Sequence, residues 1–268
     1  MGEKETVDKA PLPRTRESLA HDLRELGVEA GMTLLMHSSL SALGWVAGGP
    51  VALVQALMDV VTEAGTILVP TFSGDLSDPA QWRNPPVPES WWPIIYEAMP
   101  AFDPCITPSR QIGKIAETFR SWPGVVRSYH PTDSFAAWGR QAAFITAKHS
   151  LDYGLGEGSP LARIYDLDGW VLLLGVGFGN NTSFHLAEYR QPHPPQIMQG
   201  APIFENGQRV WKTYREVEID DSPFPEIGAD FERLGEVRMN KVGSADARLF
   251  RQRPAVDFAL EWLKRRAN

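Results

Sequence analysis

Two histidines, His37 and His185, sit where an α/β protein can use an imidazole as a proton acceptor. His185 belongs to the stretch Trp170 to Glu188, WVLLLGVGFGNNTSFHLAE. Its apolar start, 170–174 with Val176, reads as a short buried strand. Gly175, Gly177 and Gly179 then let the backbone turn sharply and leave N–H groups open. Asn181 or Thr182 supplies a side-chain oxygen to cap a helix. His185 and Glu188 follow at i and i+3, on one face of that helix. His37 ends another apolar run, TLLMH, and the pair Ser38-Ser39 follows it. Ligands of α/β proteins bind where strand ends meet helix starts, so both histidines are expected to line one pocket. The plainer alternatives are a glycine-rich connection with a surface histidine, and a satisfied core or rim residue at His37.

Several standard chemistries lack their residues. No G-x-S-x-G nucleophile turn is present, and no phosphate-binding P-loop. The run from Gly175 to Asn180 has Asn180 where a dinucleotide fingerprint needs its last glycine. No H-E-x-x-H occurs, and His185, His193 and Glu188 are poorly spaced for a dedicated metal centre, so no metal is expected. Cys105 is the single cysteine, which rules out an intrachain disulfide and fits a reducing, cytoplasmic setting. A formal charge of −7 argues against a general nucleic-acid binder and suits a small cationic partner. With 43% hydrophobic and 22% charged residues the composition is that of an ordinary globular protein. No apolar run approaches the roughly 20 residues that span a bilayer.

The elements that must hold these residues follow from pattern and punctuation. Residues 1–13 read as a flexible lead-in without a secretory signal, and 14–268 as one domain. Thr15 caps a helix with Leu19, Leu23 and Leu26 on its apolar face, closed by Gly27. Strand 33–37, helix 51–63 and strand 66–70 make a unit that builds a parallel pair. Residues 74–104, rich in proline, tryptophan and acids, read as an acidic aromatic wall over the site, or as a structural cover. Pro108 suits a helix start, where Arg110 and Lys114 would join free N–H groups in an anion site. A strand at 125–129, a helix starting at Ser159-Pro160 and a C-terminal helix from Pro254 complete the α/β pattern. Asn206-Gly207 between 197–204 and 209–219 marks a hairpin.

Seven ordered blocks resemble the aminoglycoside 3-N-acetyltransferase family along almost the whole chain. They are MHSSLSALGWVAGG (36–49), GTILVPTFSGDLSDP (65–79), WRNPPVPESWWP (82–93), TPSRQIGKIAETFR (107–120), HPTDSFAAWG (130–139), GLGEGSPLARIYDLDGWVLLLGVG (154–177) and NNTSFHLAEYR (180–190). The resemblance implies the α/β antibiotic N-acetyltransferase fold, a mixed β-sheet core with surrounding helices. It also implies an enzyme, monomeric or homodimeric, that acetylates an amine from acetyl-CoA. By position, Thr182 and His185 match the catalytic pair. His37, Ser38, Ser39 and Leu40 match the segment along the pantetheine and thioester. Ser109, Arg110, Gly113 and Ile115 match the helix start that meets the CoA phosphates, and Ser134, Phe135 and Ala136 a further strip of that groove. Asp75 and Glu188 match acidic positions near the amine. Glu97, Glu157, Asp220 and Asp221 are expected to add to its attraction, which is electrostatic.

His185 is then the expected general base, with the Thr182 hydroxyl and the N–H groups of Ser38-Ser39 as oxyanion donors. One position departs from the family. Several relatives carry an acid six residues before the matching histidine, where Gly179 stands here. Asp220, Asp221 or Glu218 is expected to orient the imidazole instead. Some relatives act on other amines, so a different amine metabolite, or CoA binding with little turnover, stays open beside the aminoglycoside reading.

Overall fold

The structure, a computed structural model, describes residues 3–9 and 12–267. Alternation along β1 (Thr33–Ser38) sets the layers: Leu34 and Met36 enter one core, Leu35 the opposite one. Before it come α1 (Glu3–Lys9) and α2 (Arg16–Leu26). A helix thus stands inside the expected flexible lead-in, of which residues 1, 2, 10 and 11 lie outside the described residues. Thr15 caps α2 through Ser18 N–H and Gly27 closes it at φ 98°, as the pattern required. After β1, α3 (Gly49–Val61) crosses to β2 (Thr66–Pro70). Then follow α4 (Trp92–Ala98), α5 (Lys114–Arg120), β3 (Val126–Arg127), β4 (Phe135–Gly139) and α6 (Ala142–Thr146). The path continues through α7 (Pro160–Asp166), β5 (Trp170–Leu174) and α8 (Ser183–Tyr189). A hairpin of β6 (Gln196–Glu205) and β7 (Gln208–Val217) leads to α9 (Phe224–Glu232), β8 (Arg238–Val242), β9 (Ala245–Arg251) and α10 (Gln252–Ala267).

Seven strands form one sheet in the order β3-β4-β2-β1-β5-β9-β8. β1 is parallel to both β2 and β5, and every other pair is antiparallel, so the sheet is mixed. Leu34, Met36, Leu172 and Leu174 pack under α2, α3 and α5. Leu35, Leu68, Val171 and Leu173 pack under α6 to α10. Each of these fully buried leucines contributes on the order of 2 kcal/mol. The hairpin stands apart as a two-stranded ribbon, and Asn206 and Gly207 (φ 51° and 78°) take the positive angles that such a tight turn needs. Among the described residues no helix is long and apolar enough to cross a membrane.

Three expectations shift. The strand at 125–129 shrinks to Val126–Arg127, because Arg127 turns inward and donates to the carbonyls of Thr71 and Thr107. The helix expected at Pro108 begins only at Lys114. Arg110 N–H is held by the Phe72 carbonyl, and Ser109 by Glu117, so the chain runs extended beside residues 71–73. Residues 74–104 brace the hairpin. Arg209 donates to Met99 and Tyr96 carbonyls, and Tyr96 packs edge-on against Trp211.

Candidate active site

β1, β2 and β5 run the same way, so their carboxyl ends open on one side of the sheet. The crossover from β1 goes to β2, while β5 lies on the other flank of β1; the connections diverge between them and leave a crevice. His37 pairs with Leu173 and Ser38 with Leu174 at this end. Beyond Leu174 the chain must leave the sheet at once. Gly175 does this at φ 70°, and a Cβ there would stand 2.5 Å from Ala42 Cβ. Phe178 next wedges against Gly228 of α9, where no side chain could fit. α8 then starts after Thr182. The Thr182 hydroxyl takes no part in capping; Asn181 Oδ1 accepts from Ser183 N–H instead.

His185 lies in the first turn of α8 and Glu188 one turn later. His185 Nδ1 and Glu188 Oε2 are 2.5 Å apart. A carboxylate only accepts, so Nδ1 carries the proton and the Nε2 lone pair is left to take another. Glu188 Oε1 accepts from the Asp220 backbone N–H at 2.7 Å. With both oxygens engaged and the residue 5% exposed, Glu188 holds the ring and does not face a ligand. Two expectations differ from this geometry: Glu188 near the amine, and Asp220, Asp221 or Glu218 on the ring. Asp220 contributes its backbone, its own carboxylate accepting from Ser222 N–H. The Phe224 ring packs beside the His185 ring, tilted by 57° with centroids 4.8 Å apart.

A cavity of about 250 Å³ is lined by His37, Ser38, Thr182, His185, Asp221 and Phe224, among others. Burial first, and the neighbouring His185 second, push the His37 imidazole down to about 3. His37 is thus neutral, and its Nε2 is buried without a partner among the described residues. A larger cavity of about 640 Å³ adjoins and shares Ser38, Gln111, Ile112 and Asn180 with the first. Ser39, Leu40, Gly113, Lys114 and Ile115 line it. Ser38, Ser39, Leu40, Gly113 and Ile115 therefore come together as expected for a groove beside the histidines.

Other expected residues do not. Ser109 is tied through its N–H and hydroxyl to Glu117 Oε2, Arg110 is paired with Asp75, and neither lines the two cavities. Ser134, Phe135 and Ala136 are fully buried at the start of β4, where Ser134 Oγ donates to the Thr71 carbonyl; they stand behind the wall. The Ser39 N–H donates to the Leu174 carbonyl at 2.9 Å and is not free for an oxyanion. Of the expected acids, Asp75 neutralises Arg110, Glu157 neutralises Arg190, and Glu97 lies exposed on α4. Asp221 alone lines the smaller cavity. Nothing from 74–104 lines either cavity, because that stretch is spent on the hairpin. Gln111, Ile112, Asn180 and Asn181 line the cavities although none was expected there, and each stands inside a family-like block. Gly179 also lines the smaller cavity, and a Cβ there would meet only Pro225, at 3.6 Å.

A family model described as Aminoglycoside 3-N-acetyltransferase matches residues 35–264. The SPbeta prophage-derived aminoglycoside N(3')-acetyltransferase-like protein YokD of Bacillus subtilis (strain 168) is 52% identical over 260 residues, 97% of this chain and 96% of the relative. The crystal structure of YokD superposes with a TM-score of 0.96 and covers 97% of both chains. AAC-IIIb, solved as a binary complex with CoASH, has a TM-score of 0.85 at 31% identity, covering 95% of this chain and 98% of that one. AAC-VIa bound to sisomicin has a TM-score of 0.86 at 33% identity, covering 95% and 99%.

Proposed function

The chain belongs to the aminoglycoside 3-N-acetyltransferase family, and from that premise we propose the reaction its residues perform. It transfers the acetyl group of acetyl-CoA to the 3-amino group of a 2-deoxystreptamine aminoglycoside, with both substrates bound together. The observation that carries this is the His185–Glu188 pair beside two joined cavities, one for each substrate. The relative solved with CoASH and the one solved with sisomicin support an acyl donor and a cationic acceptor. The larger cavity takes the donor along Ser38, Ser39 and Leu40, with Lys114 facing its phosphates.

At neutral pH the acceptor amine is an ammonium and has no lone pair. His185 Nε2 removes one proton, and Glu188 steadies the imidazolium that forms. The amine nitrogen bonds to the acetyl carbon, and the Thr182 hydroxyl donates to the oxygen that gains charge. As the intermediate collapses the carbon–sulfur bond breaks, the nitrogen sheds its second proton, and the CoA thiolate takes one proton while the other leaves to solvent. Holding both substrates in one crevice supplies much of the acceleration. His37, kept neutral by burial, lines the cavity without adding a cation that would repel the amine.

One observation favours a different amine: among the described residues, Asp221 is the single carboxylate lining the smaller cavity. Thiol release from acetyl-CoA with a panel of aminoglycosides and simpler amines tests both readings. Turnover with 2-deoxystreptamine compounds, lost by on the order of 10²-fold or more in His185→Ala, supports the first. Turnover with other amines only supports the second. CoA binding without turnover, or an acyl-serine trapped at Ser38 or Ser39, overturns both.

A further inference from the structure

Behind the His185–Glu188 pair lies a largely buried polar cluster that the reaction does not use. The carboxylates of Glu216 on β7 and Asp133, with His130 Nδ1, bring their donor atoms within 4.8 Å of one another. His130 Nδ1 already accepts the Asp133 N–H at 2.9 Å, and Nε2 meets the Leu151 carbonyl, so this ring is neutral with its lone pair in use. Burial pushes His130 down to about 4, and burial followed by His130 pushes His149 down to about 3. Thr132 Oγ1 donates to Asp133 and also meets Tyr214 Oη. Arg215 on the same strand is spent on Asp152, and Arg163 on the carbonyls of Phe144 and Ile145. Two carboxylates thus face each other with neutral imidazoles and phenols around them. Full ionisation of both is costly there, because Glu216 is buried and two like charges would stand side by side.

Glu216 also grips the catalytic helix. Its Oε2 accepts from Tyr189 Oη, one residue beyond Glu188, and its Oε1 accepts from Gly154 N–H at 2.6 Å. Four residues further along, Asp220 N–H binds Glu188. We propose that Glu216 is a positioning residue for α8, holding Tyr189, and that its carboxyl group and that of Asp133, within 4.8 Å of each other, hold one proton as a pair. This rests on the reading of His185 and Glu188 as the catalytic pair. Burial first, and Asp133 second, raise the Glu216 carboxyl to about 7; burial raises Asp133 as well. Above that range both carboxylates ionise, repel, and loosen β7 from α8.

The test compares wild type with Glu216→Ala, Glu216→Gln and Asp133→Asn. Glu216→Ala is expected to lower kcat on the order of 10- to 100-fold, the scale of a displaced catalytic group, with the KM for acetyl-CoA unchanged. Glu216→Gln is expected to recover most of that loss at pH 7 and to abolish the decline of wild-type kcat between pH 7 and 9. Equal damage by both substitutions, or identical pH profiles for wild type and Glu216→Gln, overturns the proposal. Thermal melting gives a second readout that needs no turnover. Relative to Glu216→Gln, wild type should lose stability as pH rises from about 4.5 to about 7 and stay level above it, since the native state binds the extra proton. In Asp133→Asn that dependence should move to lower pH. A difference that is constant with pH sinks the shared proton even if no acceptor is found, while a failure to acetylate any amine with the pH difference intact sinks only the reaction.

Discussion

Exchanging Glu188 for glutamine removes one charge and almost no volume, and the structure sets the size of the effect. Glu188 Oε2 stands 2.5 Å from His185 Nδ1, and both side chains are mostly buried, 7% and 12% exposed. Once the ring takes a proton, the centres of the two charges lie about 4 Å apart. At an effective dielectric of about 20 their attraction is about 4 kcal/mol. At about 1.4 kcal/mol per tenfold in rate this is close to three orders of magnitude. A glutamine keeps part of it as a dipole, so kcat is expected to fall on the order of 10²- to 10³-fold. The amide also has no good orientation. Its oxygen can serve His185 or the Asp220 N–H, not both, and an NH₂ toward Nδ1 reverses the tautomer and removes the base. Thiol release under saturating substrates measures kcat, and KM for acetyl-CoA should be unchanged because Glu188 lines neither cavity. A raised KM for the amine with kcat intact would refute this and return Glu188 to the substrate side.

The other expectations are cheaper to check. Lys114→Ala removes a cation from the larger cavity and should raise KM for acetyl-CoA about 10-fold or more, on the scale of one charged hydrogen bond, leaving kcat alone; an effect on the amine instead would contradict the placement of the donor. Gly175→Ala forces a side chain into a positive-φ position against Ala42, and should cost about 1–3 kcal/mol, seen as a drop of several degrees in Tm; an unchanged melt would refute the close approach. His37, His130 and His149 are held neutral well below the ordinary histidine range, so stability should fall as pH drops from about 6.5 towards 4. Each contributes a slope of about 1.4 kcal/mol per pH unit, partly offset by the raised Glu216 carboxyl, and urea unfolding that is flat from pH 7 to 5 would rule it out.

β1, β2 and β5 were legible because their signals are local, whereas β4, β8 and β9 were not read as strands. Short apolar runs, a capped helix and a proline after GWVAGG lie within a few residues of what they determine. So do His37 and His185, one at a strand end and one at a helix start. What failed depends on distant chain. Spacing puts Glu188 on the face of His185, but only the crossing of residues 217–221 covers it and turns it from a ligand for an amine into a partner for the ring. Pro108 is a sound helix start by itself, yet the Phe72 carbonyl captures Arg110 and the helix waits until Lys114. Ser134 to Ala136 belong to a family-like block whose burial follows from β4 sitting between β2 and β3. The Asp133–Glu216 cluster joins residues far apart in sequence, and no motif links them.

The absence of an acid at Gly179 then has a physical answer. An acid there would approach the imidazole from the turn before α8, and the open space around Gly179 could accept one. Glu188 does the orienting from within the same helix, so the pair depends on α8 keeping its shape. Seven residues are too few for a helix to be stable alone, and tertiary ties must hold it. Those ties are Gln252 on Ser183 at its start, Asp220 on Glu188 in its last turn, and Glu216 on Tyr189 at its end. One of the three comes from the segment between the hairpin and α9, which also brings Asp221 to the cavity, and another from the end of the hairpin ribbon itself, on β7. Changes in that segment should therefore move catalysis and acceptor choice together, even where they touch neither substrate.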